Sequence, residues 1–403
     1  MMSPNRPPRI LLCISGGIAA YKTPHIVRGF VQSAWEVIVV LTESARAFVS
    51  PMVLATLSKN RVWGDGDYLN HETGSIPHIH LAEWADAVVV APCTAESAAR
   101  LAAGHGKHLM DGILLATRAP VVVFPAMNVN MLHHGATVRN LALLRDMGYR
   151  VIDPDDGDLA CGYQGAGRLP EVDGVVHEVR RVLTHQDMAG MTVTVTAGPT
   201  REYLDPVRFI SNPSTGKMGY ALAQDAWYRG ASVTLISGPV SLPSPRGVRV
   251  VQVATALEMR DACVRSMAAS NVMVKAAAVG DYRFPSRSER KIKREGRSEM
   301  TLAMVQNPDI AAELGAMKAR DQILVGFAAE TDDLQANAEK KLRSKNLDLI
   351  VANDLTKPGS GFGCDTNRVS LYDRFGRTTE VEGPKNLVAR GIWDRVLALR
   401  NDD

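Results

Sequence analysis

Short apolar runs alternate with stretches of helical spacing along the first half of the chain. The runs fall at residues 10–14, 36–41, 87–91, 120–124 and 149–152, and the helical patterns at 20–33, 44–57, 96–103 and 137–147. Strands this apolar on both faces belong in a parallel sheet covered by helices on both sides. The alternation predicts βαβ units and a doubly wound α/β domain. Residues 178–191 read as a closing helix and a short linker, after which the pattern restarts. Strands are expected at 192–196, 232–237, 248–253, 272–276, 323–328 and 347–351, with a helix over 221–228 that stops at Gly230. We therefore expect two α/β domains, 1–188 and 189–403. Residues 283–300 are polar, strongly charged and poor in core residues, and read as a mobile loop or flap.

Composition narrows the class. The 403 residues are 46% hydrophobic and 22% charged, ordinary for a globular protein and long enough for two cores. A net charge of +3, from 46 basic against 43 acidic side chains, carries no nucleic-acid signature. Five cysteines, Cys13, Cys93, Cys161, Cys263 and Cys364, are too sparse for a disulfide framework and fit a reducing compartment. No apolar run reaches the ~18 residues of a spanning helix. The first apolar run enters a Gly-Gly turn, so it reads as a strand rather than a signal peptide. The expectation is a cytoplasmic protein without membrane or nucleic-acid partners.

Candidate chemistry in the first half clusters at the ends of strands. Ser15-Gly16-Gly17-Ile18 lets backbone amides approach a phosphate where a strand meets a helix. It lacks the G-x-G-x-x-G spacing, so a nicotinamide fingerprint is not supported. Thr42, Ser44 and Thr94 place hydroxyls after the next two strands, where ligands bind in open α/β sheets. His78 reads either as a general base or as a loop histidine without a role. A metal site from His71, His78 and His80 has poor spacing. Asn128 offers hydrogen bonds to a carboxylate, or caps the next helix. Cys161 lies in a Gly-rich loop, the access a reactive thiol needs; Cys13, Cys93 and Cys263 read as packing residues.

The ordered motifs S-G-G-I-A-A-Y-K from Ser15, His78 before L-x-x-W-A-D, P-A-M-N from Pro125, and A-C-G-x-x-G-x-G-R from Ala160 resemble the flavin-dependent phosphopantothenoylcysteine decarboxylases. The resemblance implies a flavodoxin-like domain binding FMN, in trimer-based assemblies with sites between subunits. It implies FMN contacts from Gly16, Gly17, Ile18, Thr42, Ser44 and Thr94. It makes His78 the catalytic base, Asn128 the binder of the substrate carboxylate and Cys161 the proton donor to an enethiol. Oxidising the substrate thiol to a thioaldehyde supplies the electron sink that loss of CO2 requires. The chain departs from the family at His105-Gly106-Lys107-His108, where a small residue and Asn or Asp are usual.

In the second half, Gly216-Lys217 superficially suggests a P-loop, but Ser211 and Met218 break the pattern. The run from Thr196 through Ala-Gly198-Pro-Thr200-Arg201 to Ser211-Asn212-x-Ser-Thr-Gly216-Lys217-Met-Gly219 instead resembles the phosphopantothenate–cysteine ligases. So do Gly280-Asp281-Tyr282, Lys291-Ile-Lys293-Arg294, Asn307-Pro308-Asp309-Ile310 and Gly326-Phe327. The resemblance implies a Rossmann-like domain that turns a carboxylate into an acyl-cytidylate with CTP and Mg²⁺; cysteine then attacks. Expected CTP contacts are Asp281, Lys291, Asn307, Pro308, Asp309, Ile310, Phe327, Lys341 and Lys345. Lys291 would hold the triphosphate, Asp281 the Mg²⁺, and Asp309 the ribose or metal. Asn212 would steady the acyl-cytidylate carbonyl, and Arg208 would reach substrate across a dimer contact. The expected partners are 4′-phosphopantothenate, cysteine, CTP and further copies of the chain, trimeric through the first half and dimeric through the second. The alternatives are a non-catalytic flavin-binding regulatory subunit and an NAD(P) oxidoreductase; joint presence of His78, Asn128 and Cys161 argues against the first.

Overall fold

The computed structural model describes residues 6–69, 76–158, 162, 164–293, 299–330, 334–354 and 363–401. The chain forms two units, Met1–His185 and Gln186–Asp403. Strands of the first are β1 (Arg9–Ile14), β2 (Glu36–Leu41), β3 (Val62–Gly64), β4 (Ala87–Cys93), β5 (Val121–Pro125) and β6 (Arg150–Val151). They form one parallel sheet in the order β3-β2-β1-β4-β5-β6. The order reverses between β1 and β4, which opens a crevice at their C-terminal ends. Ile10, Leu12 and Ile14 of β1 pack under helices Thr23–Gln32, Pro51–Ser58 and Val172–Leu183. Leu11 and Cys13 face helices Pro77–Trp84, Ala95–Ala102, Leu109–Ala116 and Gly135–Asp146. That two-sided burial is why β1 and β4 carry apolar residues without alternation.

Several elements differ from the sequence expectation. The pattern over 44–57 splits into a 3-10 turn, Glu43–Ala47, and a helix, Pro51–Ser58, because Pro51 has no amide hydrogen to continue a helix. The segment before Trp84 is a helix begun by Pro77, whose fixed φ suits the first turn. The closing helix is Val172–Leu183, starting earlier than read. Helix Leu109–Ala116 gave no amphipathic signal because most of its residues are buried. After β6, strands β7 (Asp155–Asp158) and β8 (Gln164–Arg168) form an antiparallel hairpin. Cys161 lies outside the described residues, as do His71 and Arg294.

The second unit contains β9 (Thr192–Ala197), β10 (Arg201–Tyr203), β11 (Phe209–Ser211), β12 (Ser232–Ser237), β13 (Arg249–Gln252), β14 (Val272–Lys275), β15 (Tyr282–Arg283), β16 (Val305–Gln306), β17 (Ile323–Glu330), β18 (Leu349–Asp354), β19 (Thr366–Asp373) and β20 (Thr378–Pro384). Its main sheet runs β13-β12-β9-β14-β17-β18-β19-β20, parallel through β18 and antiparallel at β19 and β20. These last two strands escaped the sequence reading, which sought unbroken apolar runs. In β19, buried positions alternate with half-exposed ones. Helices Lys217–Tyr228 and Lys385–Asn401 cover one face; Ala256–Met267, Ile310–Met317 and Leu334–Ser344 cover the other. The expected flap is closed at its base by β15 pairing with β16. Among the described residues no helix is long and apolar enough to cross a membrane.

Candidate active sites

In the first unit, the turn after β1 is tied to the end of β4. Ser15 Oγ donates to the Pro92 carbonyl at 2.7 Å and accepts from the Thr94 amide at 3.0 Å. Thr94 then caps helix Ala95–Ala102 by accepting from the Ser97 amide. A side chain at Gly16 would lie 2.3 Å from Ser44 Oγ, so only glycine fits that turn. Ser44 and Thr42 hydroxyls lie 3.2 Å apart, and Thr42 also donates to the Ile14 carbonyl. The turn opens onto a cavity of about 680 Å³, within the range of cofactor sites. Gly16, Gly17, Ile18, Thr94 and Asn128 line it, with Lys22, Met127 and Arg168. Thr42 and Ser44 buttress the Gly16 turn without lining the cavity.

Asn128 sits just past β5 and caps the next helix, accepting from the Asn130 amide at 2.8 Å. The Met127 amide bonds the Gly167 carbonyl, so β8 forms a wall of the same cavity. His78 is in the first turn of helix Pro77–Trp84, not in a loop. Among the described residues its Nδ1 is buried with no hydrogen-bond partner, and its ring meets Tyr68 edge-on at 5.1 Å. It does not line the 680 Å³ cavity. The unusual 105–108 stretch is anchored: Tyr68 donates to the Gly106 carbonyl at 2.8 Å, and His108 Nδ1 meets Asp65 at 2.9 Å. Cys13, Cys93 and Cys263 are buried, as a packing role requires. Burial pushes the Cys93 thiol up to about 12 and raises Cys13 and Cys263 too, which keeps them unreactive.

In the second unit, the loops after β9 and β14 are zipped together. Ala278 donates to the Gly198 carbonyl, and Gly280 donates to Thr200 Oγ1 at 2.9 Å. Gly216 starts helix Lys217–Tyr228 with φ +79°, and a side chain at Gly219 would lie 2.5 Å from Ala197 Cβ. Two cavities open beside these loops. One, of about 270 Å³, is lined by Asp281, Asn307, Pro308, Asp309, Ile310, Phe327, Lys341 and Lys345, eight of the nine expected CTP contacts. The other, of about 320 Å³, is lined by Asn212, Gly216, Lys217, Asn353, Asn367 and Lys385. Asp281, Phe327 and Lys341 line both, so the cavities adjoin.

Charge pairing organises these residues. Lys345 Nζ meets Asp309 Oδ2 at 2.8 Å, while Asp309 Oδ1 caps helix Ile310–Met317 by accepting from the Ala312 amide. Burial opposes the charged form, yet Lys345 and the helix amides outweigh it and hold the Asp309 carboxyl below its ordinary value. Asn212 spends its Nδ2 hydrogens on the Ala278 and Val279 carbonyls, both at 3.2 Å. Arg208 is engaged by Asp205 and the Ile292 carbonyl. Lys291 is exposed and lines neither cavity. The sequence reading missed Lys275, Lys385 and Asn367. Lysine at the end of the apolar strand β14 was the available signal for the first. Lys217 pairs with Asp365 at 2.6 Å, and Lys385 donates to the Cys364 and Thr366 carbonyls. Among the described residues no group of three or more His, Cys, Asp or Glu side chains forms a metal cage.

Comparison with known proteins decides the family. The flavoprotein family matches residues 2–184, and the DNA/pantothenate metabolism flavoprotein C-terminal domain matches 188–399. The coenzyme A biosynthesis bifunctional protein CoaBC of Bacillus subtilis (strain 168) is 46% identical over 376 residues, 92% of each chain. The chain belongs to the bifunctional coenzyme A biosynthesis proteins. The Escherichia coli (strain K12) relative is 43% identical over 96% of each chain. A solved C-terminal domain of such a bifunctional protein is 39% identical, covering 54% of this chain and all of that one, with a TM-score of 0.47. A solved PPC decarboxylase mutant is 32% identical, covering 43% of this chain and 97% of that one, with a TM-score of 0.41. As a bifunctional coenzyme A biosynthesis protein, the chain carries a flavoprotein decarboxylase half and a ligase half. The regulatory-subunit alternative is not favoured by these relatives.

Proposed function

We propose that residues 189–403 join cysteine to 4′-phosphopantothenate with CTP and Mg²⁺, and that residues 1–188 decarboxylate the product with FMN to 4′-phosphopantetheine. The observation that carries the ligase reading is the pair of adjoining cavities sharing Asp281, Phe327 and Lys341. A nucleotide in one and an acid in the other bring an α-phosphate and a carboxylate to the shared wall. Asp281 supplies the single carboxylate that Mg²⁺ needs when phosphates complete its shell. Lys341 offsets the charge of the activated phosphate, and exposed Lys291 reaches the triphosphate. Asn212 releases one backbone carbonyl to donate to the acyl oxygen. Arg208 acts by holding the flap rather than by reaching across a dimer.

In the first half, the Gly16 and Gly17 amides, Ile18 and the Thr94 hydroxyl fit a flavin phosphate, because the turn leaves no room for a side chain at Gly16. FMN supplies the two-electron acceptor for the substrate thiol. Asn128 orients the substrate carboxylate, and Cys161 gives up a proton at its thiol. His78 serves as base in the cavity of a neighbouring copy, in a trimer of N-terminal halves; its orphaned Nδ1 supports this reading.

The test incubates the purified full chain with CTP, cysteine and phosphopantothenate, following pyrophosphate and each acyl product by mass. Expected are a flavin spectrum, CTP-dependent pyrophosphate release and phosphopantetheine. A colourless protein that cannot be reconstituted with FMN and ignores CTP overturns the reading.

A further inference from the structure

Lys275 ends strand β14 and is only 8% exposed. Its side chain lines the 270 Å³ cavity and not its neighbour. Among the described residues its ammonium has no hydrogen-bond or ion-pair partner. The other lysine confined to that cavity, Lys345, is neutralised by Asp309 at 2.8 Å. Burial lowers the Lys275 ammonium from its ordinary value; Cys263 and Asp309 raise it again, and Lys345 opposes them. The ammonium opens into the cavity, where it is placed to donate to an acceptor on a bound ligand.

The position says which part of the ligand this is. The phosphate end of the nucleotide belongs where the cavities meet, at Asp281 and Lys341. Residues lining only the first cavity include Ile310, Leu347 and Ile350, apolar groups suited to a flat ring. Lys275 belongs to that set. We propose that Lys275 reads the base, its ammonium donating to the O2/N3 edge of cytosine. Cytosine offers two acceptors there. Uracil presents an N3–H, which faces the ammonium and is rejected, as polar sites reject a mismatched analogue. This inference rests on the ligase reading above.

The experiment uses the full chain with Lys275→Met, which keeps the length and removes the charge, and Lys275→Gln, which keeps a donor. Wild-type protein is first titrated with Mg·CTP. Absence of saturable binding defeats the ligase reading itself. With binding established, the KM for CTP in Lys275→Met should rise about tenfold to a hundredfold, the worth of one hydrogen bond to a charged group. The preference for CTP over UTP should fall by about the same factor, with a far smaller change in kcat. Lys275→Gln should recover part of both. Removing the lone buried charge should leave the melting temperature equal or higher. Equal weakening of CTP and UTP would assign the lysine to phosphate and overturn the proposal. So would unchanged selectivity with a lower melting temperature, the mark of a structural lysine. Should the Met variant fail to fold, Gln is judged by the same selectivity ratio.

Discussion

Arg208 holds Asp205 at 2.6 Å and, through the same nitrogen, the Ile292 carbonyl at 2.7 Å. The Ile292 amide closes the triangle by donating to Asp205 at 3.1 Å. An ion pair three residues apart in sequence thus pins a segment more than eighty positions away, between Lys291 and Lys293. The reach of those lysines is set by the pin.

Arg208→Leu should raise the KM for CTP by roughly tenfold, as one charge-assisted contact is lost. Lys291→Met should do the same. The double variant should be little worse than either, because both act through one loop. Steady-state kinetics in CTP test this; full additivity would place Arg208 on substrate instead.

The same pin has a defined pH response. Arg208 leads in holding the Asp205 carboxyl well below the usual carboxylate range; burial opposes this, and the Val207, Arg208 and Ile292 amides assist. A depressed carboxyl stabilises the fold above its unfolded value of about 4 and is lost only as pH falls through its folded value. Thermal stability should therefore show no loss from this group between about pH 5 and 9, and Asp205→Asn should lower it throughout that window. Melting curves across pH decide.

Asp225 behaves oppositely. Burial raises its carboxyl to about 6, Arg390 and Arg229 oppose this, and Asp394 and Asp187 add to it. Among the described residues its Oδ2 is buried without a hydrogen-bond partner. The folded state holds the proton more tightly, so stability falls as pH rises from about 4 to about 6. Asp225→Asn should remove that fall, stabilising the protein at neutral pH by up to about 3 kcal/mol. Denaturant titrations at pH 3.5 and pH 7.5 should show the gain at the higher pH only, with about half of it at pH 5.

Gly16→Ala places a methyl against Ser44 Oγ. The β1 turn must shift, and its amides with it. The purified variant should carry less than about a tenth of the wild-type flavin, given the strain of such a close approach. Ser44→Gly should not rescue it, because the Ser44 backbone carbon lies 2.6 Å from the same methyl; flavin content is measured by absorbance after release, and a Gly16→Ala variant with wild-type flavin would mean the turn tolerates the methyl.

Trp393 is fully buried and donates from Nε1 to the Leu222 carbonyl at 3.0 Å. Trp393→Ala should destabilise the second unit by about 3–5 kcal/mol. A denaturation midpoint unchanged from wild type would show that the helix Lys385–Asn401 does not depend on this anchor.

Much of the site was legible because chemistry follows strand ends. Gly16, Gly17, Thr94 and Asn128 lie within a few residues of apolar runs, and all reach one cavity. Asp281 and Phe327 do likewise in the second unit, whereas Asn307 was legible only through the family motif. Residues displaced from that rule were misplaced. His78 stands in the first turn of a helix that Pro77 begins and that no apolar run announces. Strand β19 alternates and β20 is mostly exposed, so neither forms a continuous apolar run. Lys385 and Asn367 went unread with them, although both line the second cavity.

Local pattern alone determined the parallel strands, their helices and the glycine turns, because period and steric freedom are properties of neighbours in the chain. Pairing across distance was decided only by the folded chain: Arg208 turned inward to Asp205, Asn212 spent on two carbonyls, Lys345 matched to Asp309, Lys275 left without an acceptor. Charge and hydrogen-bond satisfaction depend on what lies within a few ångströms, and sequence order does not encode that distance.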